Sequence, residues 1–236
     1  MKNTTAPLQP GMCYHIYNRG NNRENLFIEK RNYFYFLKLY AKHIEPIAHT
    51  YAYSLLRNHF HLSLRIKTEE EYIEYMKTSQ QTSRVLETRE ISTEKEKKFN
   101  PSQSFSNLFN AYAKAINKGY GRTGSLFEER FGRIPVTSAA YFETLIFYIH
   151  YNPQKHGFVS DFRDWQWSSY QALIGAGATR LKRDYVLGLF GGVKGFEEFH
   201  QGMVNEKLLA ALIDNEFEDE TNVTDTNVAD TNVTGF

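Results

Sequence analysis

The sequence has one cysteine, Cys13, in 236 residues, which excludes a disulfide framework and a cysteine-based zinc site. No apolar run approaches the roughly 20 residues of a membrane span. The opening stretch, MKNTTAPLQP, lacks the hydrophobic segment of a secretory signal. A soluble, reducing, cytoplasmic setting is therefore expected. Lys and Arg are absent from position 214 onward, where seven acidic residues stand: Asp214, Glu216, Glu218, Asp219, Glu220, Asp225 and Asp230. Removing those seven from 27 leaves 20 acidic against 28 basic residues in 1–213, a net +8 that the overall +1 conceals. Such a charge fits a surface that meets polyanions and equally an ordinary solvated one. Aromatics are abundant instead, with 18 Phe, 16 Tyr and 2 Trp, and the 41% hydrophobic content supports one sizeable core or two small ones.

The tail repeats Thr221-Asn222-Val223, Thr226-Asn227-Val228 and Thr231-Asn232-Val233. It holds too little apolar surface to offset its ordering entropy, so 214–236 is expected to be disordered. Upstream, the patterns predict strands at 12–18, 47–55, 58–66 and 131–136. Only Leu56 and Arg57 separate the second and third, which predicts an antiparallel hairpin. A helix is predicted over 29–43 with a stripe of Phe34, Leu37, Tyr40 and Ala41. Another starts near Thr68, whose hydroxyl and Glu71 form a capping box. Residues 79–103 are polar and read as an excursion or peripheral helix. Helices follow over about 105–118, ended by Gly119 and Gly121, and over 138–152, which Pro153 is expected to stop. This β-α-β-β-α-(α)-β-α order predicts an α+β fold: a ferredoxin-like antiparallel sheet with helices on one face. Residues 154–213 form a C-terminal helical extension.

Three segments carry candidate chemistry. In Asn58-His59-Phe60-His61, side chains two apart in a strand share a face, so His59 and His61 can converge on one ion while Phe60 turns to the core. Two packed histidines would give the same pattern. In Tyr148-Ile149-His150-Tyr151-Asn152-Pro153, Tyr148 and Asn152 lie four apart on one helix face, while Tyr151 points elsewhere. A core tyrosine and a helix-ending asparagine is the alternative. The third segment, 110–131, sets Lys114 and Lys118 on one helix face and Arg122, Arg130 and nearby Arg133 around a glycine turn. Tyr112, Tyr120 and Phe127 are interleaved. Basic groups with aromatic faces suit a single-stranded nucleic acid, and a solvated helix face is the plainer reading. Trp165 and Trp167 can stack on bases or dock the C-terminal extension.

Taken in order, Tyr14-His15-Ile16-Tyr17-Asn18-Arg19-Gly20, Arg57-Asn58-His59-Phe60-His61, Tyr120-Gly121-Arg122-Thr123-Gly124-Ser125-Leu126-Phe127, Tyr148-Ile149-His150-Tyr151-Asn152-Pro153 and Trp167-Ser168-Ser169-Tyr170 resemble the single-tyrosine HUH transposases. Within these the pattern is similar to the REP-associated tyrosine transposases of bacteria, and it covers most of 12–175. The resemblance implies an HUH nuclease domain over 1–153. His59 and His61 would hold a divalent metal, Mg²⁺ or Mn²⁺, with Asn152 as a polar third ligand and Tyr148 as nucleophile. It implies single-stranded or hairpin DNA as partner, cleaved and transferred through a 5′-phosphotyrosine link. Arg19, Lys114, Lys118, Arg122, Arg130 and Arg133 would grip the backbone, in a nucleoid-associated protein whose long C-terminal extension favours a monomer over the homodimer also found among relatives. The alternatives are a catalytically silent hairpin-binding protein and a metal-dependent hydrolase without a protein nucleophile.

Overall fold

The computed structural model describes residues 5–86, 98–202 and 209–210. Four strands, β1 (Cys13–Arg19), β2 (Ala48–Leu55), β3 (His59–Ile66) and β4 (Gly132–Pro135), form one sheet in the order β2-β3-β1-β4. Every neighbouring pair is antiparallel. This is the ferredoxin-like arrangement expected from the element order.

Alternation along β3 sorts its side chains into two sets. Phe60, Leu62, Leu64 and Ile66 join a core with Tyr14 and Ile16 of β1, helix α1 (Lys30–His43) and helix α3 (Pro101–Tyr120). His59, His61 and Ser63 face the other way and are also buried. Helix α4 (Ala139–Lys155) packs there, against β2 and β3, so the expectation of helices on one face accounts for α1 and α3 and is extended by α4. A second core joins α4 to α5 (Tyr170–Ile174), α6 (Arg183–Leu189) and α7 (Val193–Gln201). The extension is therefore packed onto the sheet domain.

Local signals explain most boundaries. At the start of α2 (Glu69–Leu86) the Thr68 backbone N–H donates to Glu71 Oε2 at 2.8 Å, and the Glu71 N–H donates to Thr68 Oγ1 at 3.3 Å, completing the capping box. Gly121 ends α3 in the left-handed region, at φ 62°. Three expectations are corrected. Helix α3 begins at Pro101, because Asn100 accepts from the Gln103 N–H at 3.0 Å and proline suits the first turn. The polar stretch is thus helical up to Leu86 and again from Pro101, and 87–97 lies outside the described residues, as does the tail 214–236. Helix α1 buries Asn32, Tyr33, Phe36, Leu39 and Tyr40 and leaves Phe34 65% exposed, since its aromatics occupy more than one face.

The third correction has chemical consequences. Helix α4 continues through Pro153 to Lys155. Proline forfeits one backbone bond, but Asn152 and Pro153 are buried and the His156 N–H still reaches the Asn152 carbonyl at 3.0 Å. One more turn is added beyond Asn152.

A chain of buried hydrogen bonds fixes α4 against the extension. The Tyr53 N–H donates to Ser169 Oγ at 2.8 Å, which lies 2.8 Å from His150 Nε2. His150 Nδ1 lies 2.9 Å from His200 Nε2, and His200 Nδ1 lies 2.8 Å from the Phe196 carbonyl. That carbonyl only accepts, so His200 Nδ1 carries a proton, its Nε2 accepts from His150 Nδ1–H, and His150 Nε2 accepts from the Ser169 hydroxyl. Both rings are neutral in this scheme. Burial pushes His200 down to about 4 and His150 well below its ordinary value.

The unfolded chain therefore takes up a proton on His200 first, near pH 6.5. The stabilisation from His200 is complete above about pH 6.5 and is lost as pH falls toward 4. His49 acts in the same sense, held at about 4 by burial and by Lys182 and Lys67. The unfolding free energy from urea titration should fall steeply between pH 6.5 and 4, by about 3 kcal/mol from His200 alone, and the urea midpoint with it. A midpoint flat across that range would contradict the neutral chain.

Candidate active site

Alternation on β3 and helical spacing on α4 bring four of the sequence-expected residues together. His59 Nε2 lies 3.1 Å from Asn152 Oδ1. The rings of His59 and His61 are 5.1 Å apart, centre to centre, at 81°. Tyr148 presents its edge to His61 at 5.8 Å and to His15 at 6.2 Å. Tyr148 and Asn152 are fully buried, His61 nearly so, and His59 is 9% exposed.

Each histidine is oriented by a second contact. His59 Nδ1 lies 2.8 Å from Asn58 Oδ1, which leaves Nε2 toward Asn152. His61 Nδ1 lies 3.1 Å from His15 Nε2, which turns its Nε2 edge to the same region. Such supports fix the tautomer and aim of a metal-binding imidazole. Burial, with the charges of His156 and Lys155 adding, holds His61 well below its ordinary value, so it is neutral, as metal ligation requires.

Among the described residues no three His, Cys, Asp or Glu side chains are placed to hold a metal together. A cation here would need the carboxamide as its third protein donor. The polar groups fit that role. The two ring nitrogens of His59 each face a carboxamide oxygen, Asn58 Oδ1 at 2.8 Å and Asn152 Oδ1 at 3.1 Å, and a neutral ring carries one proton, so it donates to one of them and presents a lone pair to the other. In either orientation of the Asn152 amide one of its polar atoms is buried without a hydrogen-bond partner, Nδ2 as it stands. Two donors each about 2.1 Å from one ion at right angles lie about 3 Å apart. A set of two imidazoles and one carboxamide suits Mn²⁺ at least as well as Mg²⁺, whose preference is for oxygen.

The added turn of α4 supplies two groups that spacing alone did not single out. Lys155 Nζ lies 3.5 Å from Tyr148 Oη and 5.2 Å from the centre of its ring. His156 sets its ring edgewise to His59 at 4.9 Å. The i, i+4, i+8 series Tyr148, Asn152, His156 would have shown this, had Pro153 not suggested a stop. His15 was also overlooked as a support, although period two from Tyr17 was its signal. Partly exposed side chains around the site include Tyr17, Asn58, Lys155 and His156.

The expected basic track divides. Arg19 is paired with Glu128 and Arg122 with Glu24. Arg133 is half-buried, donates to the Thr5 carbonyl at 3.2 Å and lies over Phe131. Lys114, Lys118 and Arg130 are exposed. The tryptophans dock the extension: Trp165 Nε1–H donates to the Leu55 carbonyl at 3.0 Å, and Trp167 stacks on Tyr33 at 4.3 Å. Tyr151 stacks on Phe147, away from Tyr148.

No family model and no curated protein matches this chain. A solved structure of a REP-associated tyrosine transposase bound to a REP hairpin is similar to it, with a TM-score of 0.52 and 14% identity over 76% of this chain and 88% of that one. At that identity the likeness shows a shared fold, one in which a transposase that holds hairpin DNA is built. No described helix is long and apolar enough to cross a membrane.

Gly132 makes room for the polar cluster. It pairs with Tyr17, whose ring lies 5.0 Å from His15 and 6.1 Å from His61, and a Cβ at 132 would sit 2.1 Å from that ring. Gly132→Ala should destabilise the fold by about 1–3 kcal/mol and shift the His61 imidazole resonances. An unchanged unfolding midpoint and an unchanged His61 spectrum would rule out this contact.

Proposed function

We propose that the protein is a metal-dependent tyrosine transposase of the HUH type, which cuts and rejoins single-stranded or hairpin DNA through Tyr148. The observation that carries this reading is the meeting of His59, His61 and Asn152 with the Tyr148 side chain between β3 and α4. The fold it shares with a hairpin-bound transposase supports it.

His59, His61 and Asn152 would hold the divalent ion, which when bound stabilises charge on a scissile phosphate and its leaving oxygen. Tyr148 Oη forms the new bond to phosphorus as the bond to the 3′ oxygen breaks. The phenol proton passes to water, and the leaving 3′ oxygen takes one up, giving a 5′-phosphotyrosine and a 3′-hydroxyl. The ammonium of Lys155 faces the phenol oxygen where negative charge gathers as that proton departs. Because the ester keeps the bond energy, rejoining needs no nucleoside triphosphate. Lys114, Lys118 and Arg130 are exposed and would meet phosphates directly, whereas Arg19 and Arg122 would first exchange their glutamates.

One observation favours a second reading, a protein that binds hairpins without cutting them: Tyr148 is fully buried, with Lys155 against its ring and phenol oxygen, so side chains must move before a strand reaches Oη. Incubation with Mn²⁺ and foldback oligonucleotides separates the two. The transposase reading predicts a protein–DNA adduct that survives denaturation, lost in Tyr148→Phe with hairpin affinity retained within about threefold. Hairpin binding with no adduct in the unmodified protein selects the binding-only reading.

A further inference from the structure

Helix α1 presents an unusual outer face. It contains Lys30, Arg31, Lys38 and Lys42 and no acidic residue, and the neighbouring α3 contains Lys114 and Lys118 and none either. Within this basic layer Phe34 is 65% exposed and Tyr35 is 38% exposed. Phe34, Lys38 and Lys42 follow one another at i, i+4 and i+8, so they form a single stripe along the helix. Among the described residues Lys38 and Lys42 have no ion-pair partner, and Arg31 is held beside Glu29 and over Tyr120.

A phenylalanine this exposed forgoes much of the stabilisation of burying its ring, and it is flanked here by cations. An apolar protein partner would suit the ring and leave the lysines facing it uncompensated. A duplex would suit the lysines and offer the ring no free base. A single-stranded nucleic acid suits both, because every unpaired base has a face that can stack and a phosphate beside it. The face lies on the side of the sheet away from His59 and His61, since α1 packs on the Phe60 and Leu62 surface. It meets the site end of the β2–β3 hairpin through Trp167, which Phe34 touches edge-on at 5.0 Å and which hydrogen-bonds its carbonyl to the Leu55 N–H.

We infer that the outer face of α1 is a binding surface for single-stranded DNA, separate from the candidate active site, with Phe34 stacked on an unpaired base and Lys38 and Lys42 on phosphates. It takes from the proposed function only that DNA is the polyanion, and it requires no cleavage. A strand leaving the β2–β3 end of the molecule would run along α1 and be kept from re-pairing.

Trp167 makes the surface observable, because a base stacked on Phe34 comes close to the indole. Titration of the full chain with an oligothymidylate of about 16 nucleotides, without metal, should quench tryptophan fluorescence, and a duplex of the same length should not. Phe34→Ala should weaken binding about tenfold, and Phe34→Tyr should retain it. Lys38→Gln with Lys42→Gln should lower the slope of log K against log salt by about 1.4, two contacts at about 0.7 each. Phe34 is exposed, so its variants keep the fold. His59→Ala and Tyr148→Phe should bind the oligothymidylate normally, so loss of the adduct chemistry would leave this result standing. The inference is overturned if affinity and salt slope are unchanged in both sets of variants. It is also overturned if the duplex binds as well and ignores Phe34→Ala, or if Phe34 instead holds two copies of the chain together in the absence of DNA.

Discussion

Strand β3 is buried on both faces, and its residues are sorted so that one face is entirely apolar and the other carries His59, His61 and Ser63. An apolar face can be satisfied by any helix of suitable shape. A polar face buried in protein needs specific partners, because each unmatched group costs about 1–3 kcal/mol. Helix α4 supplies some of them, with Asn152 against His59, and β1 supplies His15 against His61. What these leave incompletely matched, chiefly the Asn152 amide, is gathered in one place. The fold thus concentrates electrostatic demand where it brings His59, His61 and Asn152 together.

That arrangement depends on α4 being held at a fixed height and rotation over the sheet. The bonds from Tyr53 through Ser169, His150 and His200 to Phe196 do this from the outer side of the helix. His150 sits two residues after Tyr148 and two before Asn152, so pinning it sets both on the sheet side. The C-terminal extension, which supplies Ser169 and His200, is in this sense a support for the site. The Trp167 and Tyr33 stack ties the same segment to α1 and so links the two faces of the sheet.

Much of this was legible in the residues. Period-two alternation placed His59 and His61 on a common face, helical spacing joined Tyr148 to Asn152, and the capping box at Thr68 marked α2. Other features were hidden for physical reasons. Pro153 is a local breaker, and only tertiary burial shows that α4 outlasts it, which is why Lys155 and His156 did not enter the expected site. Helix α1 has aromatics around most of its circumference, so periodicity chose Phe34 as core when Tyr33 and Phe36 are the buried ones. Arg19 and Arg122 looked available because Glu128 and Glu24, their partners, are distant in sequence or unremarkable in composition. Ligand chemistry set by pairs across the fold is not written in any one segment.

If His59, His61 and Asn152 hold one cation beside Tyr148, as proposed, both imidazoles must ligate it. Pulsed electron paramagnetic resonance of Mn²⁺ added to the full chain tests this without any DNA. One bound ion coupled to two imidazole nitrogens is expected, falling to one in His59→Ala and in His61→Ala. A bound ion with no imidazole coupling, or couplings that survive both substitutions, would contradict the proposal.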